Sequence, residues 1–264
     1  MMFSRLRQVF LDMDGTIYLG SRLFPTTIPF LEYLKRHEIG YAFLSNNSSY
    51  STEDYIARLA KLGIAARPEE FYTSQDYTID YLKNLPDRPR RLYWLGMGSV
   101  WKTFAEAGFE RDDRAPERVI VGFDRSLTYE KLCRAAWHLK RGVPGIATHP
   151  DRFCPTDQET WLPDCGSFIA CLETATGVKL KVLGKPDPGM LIAAAQRRNC
   201  TAAEVMMVGD RLGTDIRIGQ NAHALTAWII SDTEENRAVT DVTPDLRVRD
   251  LGELRERLAA ELGE

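Results

Sequence analysis

The chain has 264 residues, 44% of them hydrophobic and 27% charged, the balance of an ordinary globular protein with a core of useful size. A formal net charge of −3 gives no electrostatic footprint for nucleic acid or an anionic membrane, and the one basic cluster, Arg88, Arg90 and Arg91, is broken by Pro89. The length exceeds the roughly 150-residue domain prior, so two domains, or one domain carrying a large insertion, are open from the start.

No apolar run approaches the roughly 18 residues of a membrane span, and the opening MMFSRLRQVFLDMDG has no signal-peptide apolar stretch. Val9-Phe10-Leu11 reads as a short strand ending at Asp12, and Tyr41 to Leu44 as another ending at Ser45. Between them, Pro29 to Arg36 reads as a helix with Phe30, Leu31 and Leu34 inward. A second helix starts near Ser51, where Ser51 and Asp54 fit a capping box; Ile56, Leu59 and Leu62 form its stripe, and Gly63 sits at the C-cap position.

The middle of the chain differs. From about Tyr81 to Lys179 it runs through seven prolines, Pro86, Pro89, Pro116, Pro144, Pro150, Pro155 and Pro163. Strand patterns fall at Arg91 to Leu95 and Arg118 to Gly122, helix patterns at Val100 to Ala107 and Tyr129 to Leu139. The alternation then resumes: Asp187-Pro188 opens a helix, Val205 to Val208 and Leu225 to Ile230 are strands, and a last helix opens at Asp250. The fold class is therefore α/β, a Rossmann-like doubly wound parallel sheet (residues 1–79 and 181–264) with an inserted smaller α/β domain (residues 80–180). Five cysteines, Cys133, Cys154, Cys165, Cys171 and Cys200, form no CxxC pair, which argues against a disulfide framework or zinc site and points to a cytoplasmic location.

Ligands of open parallel sheets bind beyond the carboxyl ends of the strands. Here those ends carry Asp12-Met13-Asp14-Gly15-Thr16, Ser45-Asn46-Asn47, and Gly209-Asp210 with Asp215 behind, while Lys185 follows Val182-Leu183-Gly184 at the same level. Asp12, Asp14, Asp210 and Asp215 cannot all stay ionised in one partly desolvated cleft without a cation. Oxygen ligands with little histidine suit Mg²⁺. Ser45, Asn46 and Lys185 then offer the hydroxyl, amide and ammonium that a phosphate group needs.

The series DMDGT, SNN, GKP and GDRLGTD resembles the haloacid dehalogenase superfamily of phosphatases. Asp12 and Ser45 are 33 residues apart, too few for a cap domain; Ser45 and Lys185 are 140 apart, which leaves room for one. With SNNSSYSTEDYIARLAKLGI, VGFDRSLTYEKL and THPDRFCP, the chain resembles the NagD-like, p-nitrophenyl phosphatase branch. The resemblance implies Asp12 as the nucleophile that forms an aspartyl-phosphate, and Asp14 as general acid/base. It implies Mg²⁺ held by Asp12, Asp210 and the Asp14 backbone carbonyl with Asp215 ordering its waters, and a phosphoryl group bound by Ser45, Asn46 and Lys185. Thr16 to Phe24 would be a flap. Substrates would be small-molecule phosphate esters such as sugar phosphates or nucleotides, and a homodimer through the cap is expected.

Alternatives remain beside these readings. A dehalogenase would leave Asp14 without a role, no amine but Lys185 offers a phosphonatase Schiff base, and a phosphomutase carries its cap between the first two motifs. From another class stands a catalytically silent phosphometabolite sensor. Gly96-Met97-Gly98 hints at a dinucleotide loop, but Trp101 stands where the third glycine is needed. Trp94, Trp101, Trp137 and Trp161 read as cap core. His149, Asp151 and Arg152 are either turn chemistry or a substrate-recognition cluster, with Cys154 beside them as a cleft thiol or an inert buried one. His223 falls where relatives are expected to carry Ala-Gly, a change to a turn.

Overall fold

The structure is a computed structural model that describes residues 3–154 and 160–262. It divides into two compact units: Met1–Ser45, Ile56–Tyr72 and Lys185–Glu264 form the first, Asn46–Tyr55 and Thr73–Gly184 the second. Residues 46–55 and 73–79, outside the expected 80–180 insertion, thus belong to the second unit. Hydrogen bonds account for this. Ser74 Oγ donates to the Asn46 carbonyl at 2.6 Å, Gln75 Nε2 to the Tyr50 carbonyl at 2.7 Å, and the Phe123 amide to Ser48 Oγ at 2.8 Å.

The first unit holds a six-stranded sheet in the order Leu246–Val248, Leu225–Ile229, Val205–Gly209, Gln8–Leu11, Gly40–Ser45, Phe71–Thr73. The four pairings from Leu246–Val248 to Gly40–Ser45 are parallel. Gln8–Leu11 lies inside the sheet, and Val9, Phe10, Leu11 and Val205 to Val208 are fully buried, as continuous apolar runs of a parallel sheet should be. Its helices follow local signals. Thr27–Arg36 buries Phe30, Leu31 and Leu34. Asp187 caps the helix Pro188–Gln196 by accepting from the Gly189 amide, with proline at the first position. The Glu253 amide donates to Asp250 Oδ1 at the start of Leu251–Leu262.

The helix Thr52–Lys61 opens on the expected capping box: Asp54 N donates to Ser51 Oγ at 3.2 Å and Ser51 N to Asp54 Oδ2 at 2.9 Å. Its buried pair is Tyr55 and Leu59, with Ile56 and Leu62 only partly covered.

The second unit holds a five-stranded parallel sheet ordered Lys181–Val182, Gly145–Ala147, Arg118–Val121, Arg91–Leu95, Glu110–Arg111. Its core joins Tyr93, Leu95, Val119, Val121 and Phe123 to Leu139, Phe168 and Leu172 of the helices Tyr129–Lys140 and Cys165–Thr176. Both units thus have the parallel α/β construction expected from the sequence.

Two expectations need correction. Trp94 is buried core, but Trp137 is 51% and Trp161 59% exposed. Trp161 stacks on Phe153 at 4.4 Å beside a short hairpin, Phe153–Cys154 with Leu162–Pro163, that the sequence pattern did not reveal. The strand before Lys185, Lys181–Val182, belongs to the second unit's sheet and not to the sheet that carries Asp12. Lys185 therefore enters the site from a loop, not from a core strand end. Among the described residues, no helix is long and apolar enough to cross a membrane.

Candidate active site

Asp12 lies one residue past its strand, its amide still bonded to the Val208 carbonyl at 2.9 Å. The chain then turns tightly: the Met13 carbonyl accepts from the Thr16 and Ile17 amides at 3.2 and 3.0 Å, and the Gly15 amide donates to the Tyr18 carbonyl at 2.8 Å. Gly15 adopts φ +89°, a conformation that favours glycine. Beyond it, Tyr18–Leu19 and Arg22–Leu23 pair as a small antiparallel hairpin within the expected flap.

Three carboxylates meet at the strand ends. Asp12, Asp210 and Asp215 each present an oxygen within 4.8 Å of the others, and Asp215 is fully buried. Lys185, 3% exposed, lies among them: Nζ donates to Asp12 Oδ1 at 2.6 Å, Asp215 Oδ1 at 2.7 Å and the Leu44 carbonyl at 3.2 Å. Asp215 also accepts the Arg211 amide on Oδ2 at 3.1 Å, from a π-helical turn over Leu212–Ile216. Ser45 ends the neighbouring strand and is 4% exposed.

One ammonium does not balance three carboxylates. At 4.8 Å, two like charges repel by about 3.5 kcal/mol at an effective dielectric near 20. Burial, opposed by Lys185 but aided by Asp215 and Asp210, holds the Asp12 carboxyl well above the usual carboxylate range. Burial, then Asp215, pushes Asp210 up to about 7. Burial alone would lower the Lys185 ammonium; Asp12 and Asp215 override it and leave it raised. Asp210 Oδ1 is buried and has no hydrogen-bond partner among the described residues. A compact set of hard oxygen donors, over-charged and with one carboxylate oxygen unbonded, fits a divalent cation such as Mg²⁺.

Asp14 stands apart from that cluster. Its side chain is 42% exposed; Tyr18 Oη donates to Oδ2 at 3.3 Å and Arg58 Nη2 lies 3.7 Å from Oδ1. Burial raises its carboxyl, with Arg58 and Tyr18 opposing.

The remaining expected site residues lie in the second unit. Asn46, 4% exposed, donates Nδ2 to Asp151 Oδ1 at 3.1 Å. His149 is fully buried, with Nε2 3.1 Å from Ser48 Oγ and Nδ1 3.5 Å from Asp151 Oδ2. It holds the 46–55 segment to the second sheet and presents no surface to a ligand. Arg152 is exposed, and its carbonyl accepts from the Asp164 amide at 3.0 Å. Cys154 is half-buried against the second unit's core. His223 has φ +57°, so a turn has indeed taken a non-glycine residue.

Sequence reasoning missed Arg58 and the support beneath Asp210. The Asp210 carbonyl accepts three donors, Trp228 Nε1 at 2.9 Å, Ser231 Oγ at 2.9 Å and Asn236 Nδ2 at 2.8 Å. Asn236 Oδ1 also takes the Leu212 amide at 2.8 Å, which ties the π-helical turn to the same residue. No local pattern marks any of these.

Comparison with known proteins agrees with this geometry. The family model described as haloacid dehalogenase-like hydrolase matches residues 9–110, and a second, HAD-hydrolase-like, matches 182–254. The chain is 31% identical over 244 residues to an acid sugar phosphatase of Staphylococcus haemolyticus, covering 91% of this chain and 92% of that protein. The 4-nitrophenylphosphatase of Thermotoga maritima superposes with a TM-score of 0.91 at 34% identity, over 97% of this chain and 98% of that one. NagD from E. coli K-12 superposes at 0.85 with 28% identity, over 94% and 98%. The chain thus belongs to the haloacid dehalogenase-like hydrolases, on their NagD-like phosphatase branch.

Proposed function

We propose that this phosphatase hydrolyses small-molecule phosphate monoesters in a Mg²⁺-dependent reaction through an aspartyl-phosphate on Asp12. The observation that carries the reading is the meeting of Asp12, Asp210, Asp215 and buried Lys185 at one sheet edge, with Asp14 two residues on and outside the cluster. Asp12, Asp210 and the Asp14 backbone carbonyl would hold Mg²⁺, and Asp215 would order its waters. Bound there, the ion would offset the surplus carboxylate charge and the charge on the phosphoryl oxygens.

The protein's own groups do the rest. An Asp12 carboxylate oxygen attacks phosphorus while the bond to the ester oxygen breaks, and Asp14 gives its proton to that leaving oxygen. Asp14 then takes a proton from a water that attacks the same phosphorus, which frees inorganic phosphate and restores Asp12. Ser45, the Asn46 backbone and Lys185 would bind the phosphoryl oxygens. The first unit would form the catalytic core, and the second, residues 46–55 and 73–184, the cap that selects the leaving group. Within that cap, burial of His149 leaves Asp151 and exposed Arg152 as the specificity candidates. A sugar phosphate or a metabolite of similar size is the favoured substrate, supported by the name of the Staphylococcus haemolyticus relative. A cytoplasmic homodimer completes the reading.

The test is phosphate release from a panel of about a hundred phosphometabolites, the small-ligand class a closed pocket admits, with and without Mg²⁺. Wild type and Asp12→Asn are compared. Mg²⁺-dependent release that Asp12→Asn abolishes supports the mechanism and names the substrate. No release from any ester, p-nitrophenyl phosphate included, refutes it and favours a phosphometabolite sensor.

A further inference from the structure

We infer that Arg58 is a positioning residue for Asp14, clamping the general acid/base and the flap hairpin to the helix Thr52–Lys61; the inference rests on the phosphatase reading above. One guanidinium reaches Asp14 and two residues of the flap. Arg58 Nη2 donates to the Gly20 carbonyl at 2.8 Å and lies 3.7 Å from Asp14 Oδ1, while the guanidinium centre sits 4.4 Å from the Tyr18 ring centroid. Tyr18, fully buried, donates its hydroxyl to the other carboxylate oxygen, Asp14 Oδ2, at 3.3 Å.

Each oxygen of Asp14 therefore faces a different group, and those two groups touch each other. The hairpin is anchored from behind as well: the Gly15 amide bonds the Tyr18 carbonyl at 2.8 Å, and Thr27 Oγ1 bonds the Ile17 carbonyl at 2.8 Å. With 42% of its side chain exposed, Asp14 is not held in one rotamer by packing alone. The clamp supplies that restraint. Its distances, 3.3 and 3.7 Å, exceed the roughly 2.7–2.9 Å of a tight charge-assisted bond. The carboxyl is oriented, and neither oxygen is capped against exchanging a proton with a leaving group.

A stabilising role does not explain the arrangement. A part-exposed ion pair at this separation contributes little to folding, whereas an ångström of misplacement in a reacting group costs on the order of a hundredfold in rate. Lysine could replace only a minor part of the function: a point charge cannot lie flat on Tyr18 while bridging Gly20 and Asp14.

The test is the leaving-group dependence of kcat/KM, which reports the steps through phosphoenzyme formation. An alkoxide must be protonated as it leaves, while p-nitrophenolate needs little help. Wild type, Arg58→Ala, Arg58→Lys, Asp14→Asn and the Arg58→Ala/Asp14→Asn double variant are assayed on glycerol phosphate and p-nitrophenyl phosphate, with melting temperatures alongside. Arg58→Ala is expected to lose roughly 30-fold on glycerol phosphate, a fraction of the roughly hundredfold or more that a general acid contributes, and about threefold on p-nitrophenyl phosphate. Arg58→Lys should recover a minor part of the difference. On the Asp14→Asn background Arg58→Ala should cost no more than about twofold, because coupled groups are non-additive. Equal losses on both esters, or full additivity with Asp14→Asn, overturn the proposal. Should Arg58→Ala not fold, Arg58→Lys carries the same comparison. If Asp14→Asn shows no leaving-group difference, the acid/base assignment fails; if wild type cleaves neither ester, the phosphatase reading fails, and the positioning role falls with either.

Discussion

Lys185→Met tests the electrostatics of the site without any substrate. In the native chain Nζ is 3% exposed and donates to Asp12 Oδ1, Asp215 Oδ1 and the Leu44 carbonyl at 2.6, 2.7 and 3.2 Å. Methionine keeps the length and removes the charge, so three carboxylates within 4.8 Å lose their counter-ion. Breaking a buried pair on one side costs about 3–5 kcal/mol, which at this chain length is roughly a 10 °C drop in melting temperature. The loss depends on pH in a defined direction. The Lys185 ammonium, already raised, stays charged from pH 5 to 8, so its own contribution is constant there. The Asp12 carboxyl is already raised by burial and would rise further without Lys185. A carboxylate with a raised folded-state value is least unfavourable near its ordinary value of 3.8 and destabilises increasingly as pH climbs through the folded one. The deficit should therefore be large at pH 8 and smaller at pH 5. Calorimetry of both proteins in EDTA at the two pH values measures it. A deficit under about 1 kcal/mol, or one equal at both pH values, would refute the reasoning.

Two further outcomes follow from single residues. Asp210, pushed up to about 7, is mostly ionised at pH 8 and mostly protonated at pH 6, so proton competition should weaken apparent Mg²⁺ affinity about tenfold over that interval, measured by isothermal titration; a pH-independent affinity would contradict the linkage. His223 holds φ +57°, which costs a side-chain-bearing residue about 1–2 kcal/mol. Against the extra flexibility glycine brings to the unfolded chain, His223→Gly should still stabilise by about 0.5 kcal/mol; denaturant titration showing a loss would refute this.

What the sequence disclosed was local. Asp12 sits at the end of an apolar run, Ser51 and Asp54 cap a helix three residues apart, and Asp187-Pro188 starts another; each rests on neighbours in the chain, and each is found in the structure. The parallel α/β construction followed from the same alternation. Contacts between distant segments were not legible. Arg58 reads as the polar side of an amphipathic helix, and only the turn of the flap shows that it reaches Gly20 and Asp14. Trp228, Ser231 and Asn236 converge on one carbonyl from a strand, a loop and a short helix. Val182-Leu183-Gly184 looks like any strand end before a site residue, and nothing in three residues tells which sheet they join. His149 and Asp151 read as a polar cluster around a proline; the interior partners Ser48 and Asn46 lie about a hundred residues away.

The glycines of the two acidic motifs explain why those motifs are weak singly and specific together. A Cβ on Gly15 would lie 2.5 Å from Asp210 Oδ2, and one on Gly209 would lie 2.3 Å from the Asp215 Cβ and 2.4 Å from its Cγ. Each glycine thus leaves the space that a carboxylate of the late motif occupies. Gly15 also takes φ +89°, but that turn alone would admit glycine for a reason unconnected with chemistry. The close approach connects it: a turn at residues 12–16 is built around an acid that arrives almost two hundred residues later. Asp210 is in turn held by its carbonyl, which fixes the backbone that brings its carboxylate to Gly15. Asp-x-Asp-Gly by itself is an ordinary turn sequence. Joined to Gly209 at the end of the adjacent strand, Asp210 just past it and Asp215 in the turn that follows, it becomes one half of a packed acidic site, in which changing either glycine displaces a carboxylate of the late motif.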